Sequence, residues 1–282
     1  TIDLDLAAPA DPATLPDGGL VLAIGADAAE PAARPASVEV RTPAALTIGA
    51  VNPSGIGADE IRIYAGSTTI EDQLRAARNI ELTVQDTAAT ALAPGTLDIL
   101  ADLEAGQSGQ GNLMVTADGA ITVGDGTTPV ALTAAGDVVM TAGARTTAPT
   151  GLPAPFDHGL VLETGAAIRA MDGTVTLAAL RPDLGGLDVV DDVTLRGDLA
   201  AAAASGSSSA GVRIRGGNVV LEGTDPFVGE TFTLDAADAV EVRRPVTVGG
   251  ALAITAAGGD IAIADDLTAS SFTLDAATDI NV

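Results

Sequence analysis

Short bursts in which apolar and polar residues alternate dominate the chain. Val38-Glu39-Val40, Ile61-Arg62-Ile63, Ile80-Glu81-Leu82-Thr83-Val84, Leu113-Met114-Val115, Ile121-Thr122-Val123, Val212-Arg213-Ile214 and Val240-Glu241-Val242 all follow a period of two. That period puts one face of a strand in a core and the other in water. Gly, Asp, Asn and Ala-Ala separate the bursts, which is turn chemistry rather than helix capping. One segment reads two ways. Residues 69–78 open with Thr69-Ile70-Glu71-Asp72 and so resemble a capped helix, yet fit a bent solenoid rung equally well.

The bursts repeat. Phe232-Thr233-Leu234-Asp235-Ala236-Ala237 returns as Phe272-Thr273-Leu274-Asp275-Ala276-Ala277, with Leu252-Ala253-Ile254-Thr255-Ala256-Ala257 midway between them. A second burst per unit (Val240 and Val242; Ile261 and Ile263; Ile280 and Val282) and a weaker third (Val246-Thr247-Val248; Leu267-Thr268-Ala269) complete a repeat of about 20 residues. Further upstream, Leu113 and Val115 precede Val130 and Leu132, and Ile121 and Val123 precede Val138 and Met140, each by about 17 residues, which predicts shorter rungs there. Units this small cannot close a core alone and must stack.

The prediction is an all-β parallel β-helix, or β-solenoid, with rungs of about 17–20 residues. About a dozen rungs at ~4.8 Å spacing would measure on the order of 60 Å. The solenoid is expected over residues 37–282, with loop excursions near 103–111, 144–157 and 198–211, after an irregular Pro-rich cap or linker at 1–36. The final repeat runs to Val282 without a polar cap, so Phe272, Leu274, Ile280 and Val282 are expected to stack on another copy or on the rest of a longer chain.

Composition fits that picture. Aromatics make up 2% of the 282 residues and Trp is absent, as a narrow aliphatic stack requires. Thirteen basic residues, all Arg, against 38 acidic ones leave a net charge of −25, which disfavours nucleic acid and anionic membrane surfaces as partners. Zero Cys excludes disulfides, thiolate metal sites and a cysteine nucleophile. No run approaches the ~18 apolar residues of a membrane helix, so no direct membrane insertion is expected.

The pattern of Leu252 to Ile263, seen again in Leu132-Thr133-Ala134-Ala135-Gly136-Asp137-Val138-Val139-Met140, resembles the rungs of filamentous-haemagglutinin-like exoproteins of two-partner secretion. Asn52-Pro53-Ser54-Gly55-Ile56 is similar to the NPNGI motif of their secretion domain, with Ser for the second Asn; a Pro-initiated turn is the competing reading. The resemblance implies a right-handed helix, in line with the crossover rule, and an extracellular or bacterial cell-surface location.

Candidate chemistry is sparse. Arg196-Gly197-Asp198 matches a receptor-binding tripeptide at the edge of an Ala/Ser/Gly stretch, where a loop could present it; chance is the competing explanation. Asp137, Asn218, Asp260 and Asp279 precede equivalent strands, and Asp191-Asp192 and Asp265-Asp266 are paired, so stacked carboxylates leave calcium open as a ligand. The alternative is that these side chains bond the backbone of turns. His158 is the single histidine, and no nucleophile elbow or metalloprotease helix is present. The Arg groups, Arg75 with Arg78, Arg213 with Arg215, and Arg243-Arg244, are few for a polysaccharide-cleaving groove.

These readings point to a non-enzymatic structural or adhesive segment of a secreted surface protein, with copies of itself, the rest of a longer chain, or a surface receptor or glycan as partners. A self-assembling extracellular filament and a β-helix polysaccharide-degrading enzyme are the alternatives.

Overall fold

The computed structural model describes residues 2–5, 20–21, 37–49, 56–85, 94–107, 109–144, 159–181, 189–190, 192–201, 211–223 and 227–282. Every element among them is a strand. The strands assemble into three long sheets visited in rotation, and from Ser37 to Thr268 each circuit of the chain contributes one strand to each sheet. The path of the first sheet and that of the second each hold eleven strands, and the third holds nine. All pairings along these paths are parallel. Such a stack of coils is a parallel β-helix. Segment 69–78 follows the strand reading: Thr68–Ile70 lies in the second sheet and Leu74–Ala76 in the third.

Register shows why alternation is so strong a signal. In the first sheet Val38, Ile61, Ile80, Leu113, Val138, Val175, Val212, Phe232, Leu252 and Phe272 stand one above another. The third sheet carries a column of Ala58, Ala76, Ala105, Ala134 and Ala170. Large columns and small columns together fill a narrow interior without aromatic bulk. The exception is a single edge-on contact, Phe227 against Phe232, with centroids 4.9 Å apart. Each buried aliphatic side chain contributes about 1.5–3 kcal/mol, and pairing on both sides satisfies the backbone of every internal strand.

Rung length departs from the expected 17–20 residues upstream of Val212. In the first sheet the spacing from Val212 onward is constant, as the partners Phe232, Leu252 and Phe272 show. Upstream the circuits are unequal: Ile61 pairs with Ile80, a step like those at the C-terminus, whereas Leu113 pairs with Val138 and Val138 in turn with Val175 across longer ones. The short rungs expected there are therefore wrong: Leu113 belongs to the first sheet and Val130 to the third, and Ile121 to the second and Val138 to the first. The same alternation serves all three sheets, so a neighbouring sheet passes for the next rung. Extra length falls most often between a first-sheet strand and the second-sheet strand that follows it, as from Val84 to Leu97, Ala142 to Leu160 and Arg181 to Val193.

The expected excursions shift accordingly. Leu103–Ala105 and Asp198–Ala201 are third-sheet strands rather than loop. Of the excursion at 144–157, all but Ala144 lies outside the described residues, as do His158, Asp191 and Asn52 to Gly55. Within the region expected to be a cap, Ile2–Asp5 pairs with the strand beginning at Ser37, and Leu20–Val21 with Leu46 and Thr47.

Candidate functional site

Arg196-Gly197-Asp198 forms the corner between a second-sheet strand, Val193–Leu195, and the third-sheet strand Asp198–Ala201. At the C-terminal ends of the second-sheet strands, Glu163, Arg196, Glu222 and Arg243 follow the paired residues Leu162, Leu195, Leu221 and Val242. Charges alternate up this column. Arg196 Nη1 lies 3.1 Å from both Glu163 oxygens and its Nε 3.2 Å from Glu222. Arg243 reaches Glu222 and Glu241, each at 2.6 Å. These pairs are partly exposed, so each adds at most about 1 kcal/mol, but together they fix the orientation of the corner.

Beneath the corner lies Arg244, 3% exposed. Its guanidinium donates to the Gly197 carbonyl and, at 3.1 Å, to Asp198 Oδ1. Gly223, at φ +138°, leaves room for it, since a Cβ there would stand 3.3 Å from the guanidinium carbon. A Cβ on Gly197 would meet the Ala166 carbonyl. The tripeptide thus folds as a solenoid corner in which Arg196, Gly197 and Asp198 each hold an internal partner. A cavity of about 380 Å³ opens beside it, lined by Thr164, Gly165, Arg196, Gly197, Asp198, Glu222 and Gly223.

The Asp and Asn residues form two ladders, not one. Asp137 precedes a first-sheet strand, whereas Asn218, Asp260 and Asp279 precede second-sheet strands. At the first corner, Asn79 Oδ1 accepts from Asn112 N–H, Asn112 Oδ1 from Asp137 N–H, and Asp137 Oδ1 from Thr174 N–H. At the second, Asp192 accepts from Asn218 N–H, Asn218 from Ala239 N–H, and Asp260 from Asp279 N–H. Each side chain bonds the turn one rung on, the backbone role open to it from the start. Among the described residues no group of three His, Asp or Glu converges to hold a metal ion. Asp265 bonds the Asp266 N–H beside it.

The four residues expected to stack occupy the last described rung. Phe272, Ile280 and Val282 are exposed and Leu274 is partly covered. Their exposure follows from position, because an inward side chain of a solenoid is covered by the rungs on both sides.

One constellation is not singled out by the sequence. On the outward face of the first sheet, Glu39, Arg41, Glu60, Arg62, Tyr64 and Glu81 lie on three consecutive strands. Arg41 lies over the Tyr64 ring, 4.1 Å from its centroid. Burial and the neighbouring Glu81 carboxylate raise the Tyr64 pKa. Arg62 bridges Glu60 at 2.7 Å and Glu81 at 3.8 Å, and Arg78 reaches Glu60 at 3.5 Å. The available signal is an aromatic at an outward position of an alternating burst.

Compared with protein-family models, with curated proteins and with solved structures, the chain matches none of them. No helix among the described residues is long and apolar enough to cross a membrane.

Proposed function

We propose that this chain is a structural and adhesive segment of a large secreted bacterial surface protein, a stiff β-helical stalk like those of filamentous-haemagglutinin-like exoproteins. The observation that carries the reading is the unbroken stacking of eleven parallel strands in the first sheet. Ten steps of ~4.8 Å give a rod of about 50 Å. Internal strands have no free edge, aliphatic columns resist bending, and a net charge of −25 opposes lateral association of rods. Such an object spaces and presents; it needs no catalytic centre. Recognition falls to corners and outward faces, where sequence varies without disturbing the columns.

Antibody raised against the purified chain should label the surface of intact source cells, and deletion of the coding segment should reduce their attachment to solid supports. Label confined to the cytoplasm would sink the proposal.

A further inference from the structure

We propose that the outward face of the strand Ile80–Val84, with the grooves at its two ends, binds a neutral oligosaccharide laid along the strand. The inference rests on the surface-protein reading and gives that protein a ligand class.

The strand links two concavities. Before it, Arg78, Asn79, Gln110, Asn112 and Asp172 line a groove of about 370 Å³ floored by glycine backbone. After it, Arg41, Pro43, Tyr64, Thr83 and Gln85 line one of about 290 Å³. Between them the outward row reads Asn79, Glu81, Thr83, Gln85. Six steps of ~3.3 Å each make this track about 20 Å long, the reach of a short oligosaccharide.

The lining suits sugar hydroxyls. Asn79 and Asn112 commit their side-chain oxygens to the backbone of the next rung, so their amide nitrogens are the atoms left to donate. Glu81 accepts, while Thr83 and Gln85 both donate and accept. At the other groove the Tyr64 ring, with Arg41 over one of its faces, adds an apolar wall beside a few fixed polar groups, the usual pairing in such sites.

Charge selects a neutral polymer. The chain as a whole repels polyanions, with its net −25. Along this track three arginines, Arg41, Arg62 and Arg78, are matched by Glu39, Glu60 and Glu81 in ion pairs. The patch therefore offers polar groups of both signs without the surplus positive charge that would capture carboxylates. A peptide is disfavoured because the strand is internal to its sheet and has no free edge for strand addition.

Tyr64 is the only tyrosine and the chain has no Trp, so its ultraviolet emission reports this one position. The test titrates the full chain with cellohexaose, xylohexaose, maltohexaose and chitohexaose in its N-acetylated form, with hexagalacturonate as the acidic arm, and repeats each titration by calorimetry. At least one neutral hexaose should give a saturable change. Tyr64→Ala and Asn79→Ala, read by calorimetry, should each weaken it tenfold or more, whereas Arg213→Ala, on a distant strand of the same sheet, should leave it unchanged. Circular dichroism confirms that each variant is folded. No saturation with any neutral hexaose, saturation with hexagalacturonate alone, or binding unaltered in both site variants would each overturn the proposal. A negative titration beside positive surface labelling removes the ligand and leaves the stalk; cytoplasmic label removes the stalk itself.

Discussion

Replacing Arg244 with Ala tests whether a buried cation organises the corner that holds Arg196-Gly197-Asp198. The guanidinium is 3% exposed and bonds the Gly197 carbonyl and Asp198. An orphaned buried acceptor costs about 1–3 kcal/mol. The Asp198 carboxylate is 50% exposed, so that half of the arrangement adds no more than about 1 kcal/mol after solvent screening. Lost packing of the aliphatic stem supplies the rest, for about 3 kcal/mol in all, or roughly a hundredfold in a local opening equilibrium. Arg244→Met keeps the stem and should cost about 2 kcal/mol. A double-mutant cycle with Asp198→Ala should return a coupling of about 1 kcal/mol or less. Because each rung touches only its neighbours, the loss should be local. Hydrogen exchange read by mass spectrometry should accelerate over 193–201, 211–223 and 240–248 and stay unchanged over 56–85. Uniform acceleration along the chain, or none at the corner, would refute the reasoning.

Other expected outcomes concern the columns, the ladders and a turn. Leu132, fully buried between Leu103 and Ile168, should cost about 2–5 kcal/mol when cut to Ala, seen as faster exchange in strands 103–105 and 166–170. Asn112→Ala strips the acceptor from the Asp137 N–H and should cost about 1 kcal/mol, measured by denaturant titration; an unchanged midpoint would show that water replaces the amide. Gly111→Ala should perturb the corner, because its Cβ would fall 1.9 Å from the Arg78 carbonyl; circular dichroism and melting report it. Asp125 accepts from the Thr128 and Thr127 N–H groups and from the Thr127 hydroxyl, which lower its pKa from 3.8 to about 2. Its contribution is therefore complete above pH 3.8 and disappears as pH falls through about 2. Carbon-detected NMR titration should place the midpoint near 2, and a midpoint near 3.8 would mean that the turn does not hold it.

Where rungs carry no insertions, the repeat is readable directly, and Phe232, Leu252 and Phe272 stack as their even spacing implies. Where corners lengthen, the period vanishes, and the pattern matches Leu113 to Val130 in another sheet instead of Val138 in its own. Asp137 groups with Asn218 for the same reason, since a turn before one sheet looks like a turn before the next. The Tyr64 track is illegible because Arg41, Tyr64 and Thr83 lie far apart in sequence and meet only through pairing.

Local pattern determined the strands, their buried faces, the aliphatic interior and the need to stack, because a two-residue period and small side chains admit few other arrangements. Upstream of Val212, which strand lies above which was decided by the tertiary structure. Three sheets share one alternation, so only closure of the coil, with each backbone ladder satisfied by the rung above and below, separates them. The same closure turned Arg196-Gly197-Asp198 from a short motif into a corner held by Arg244, 46 residues from Asp198 along the chain.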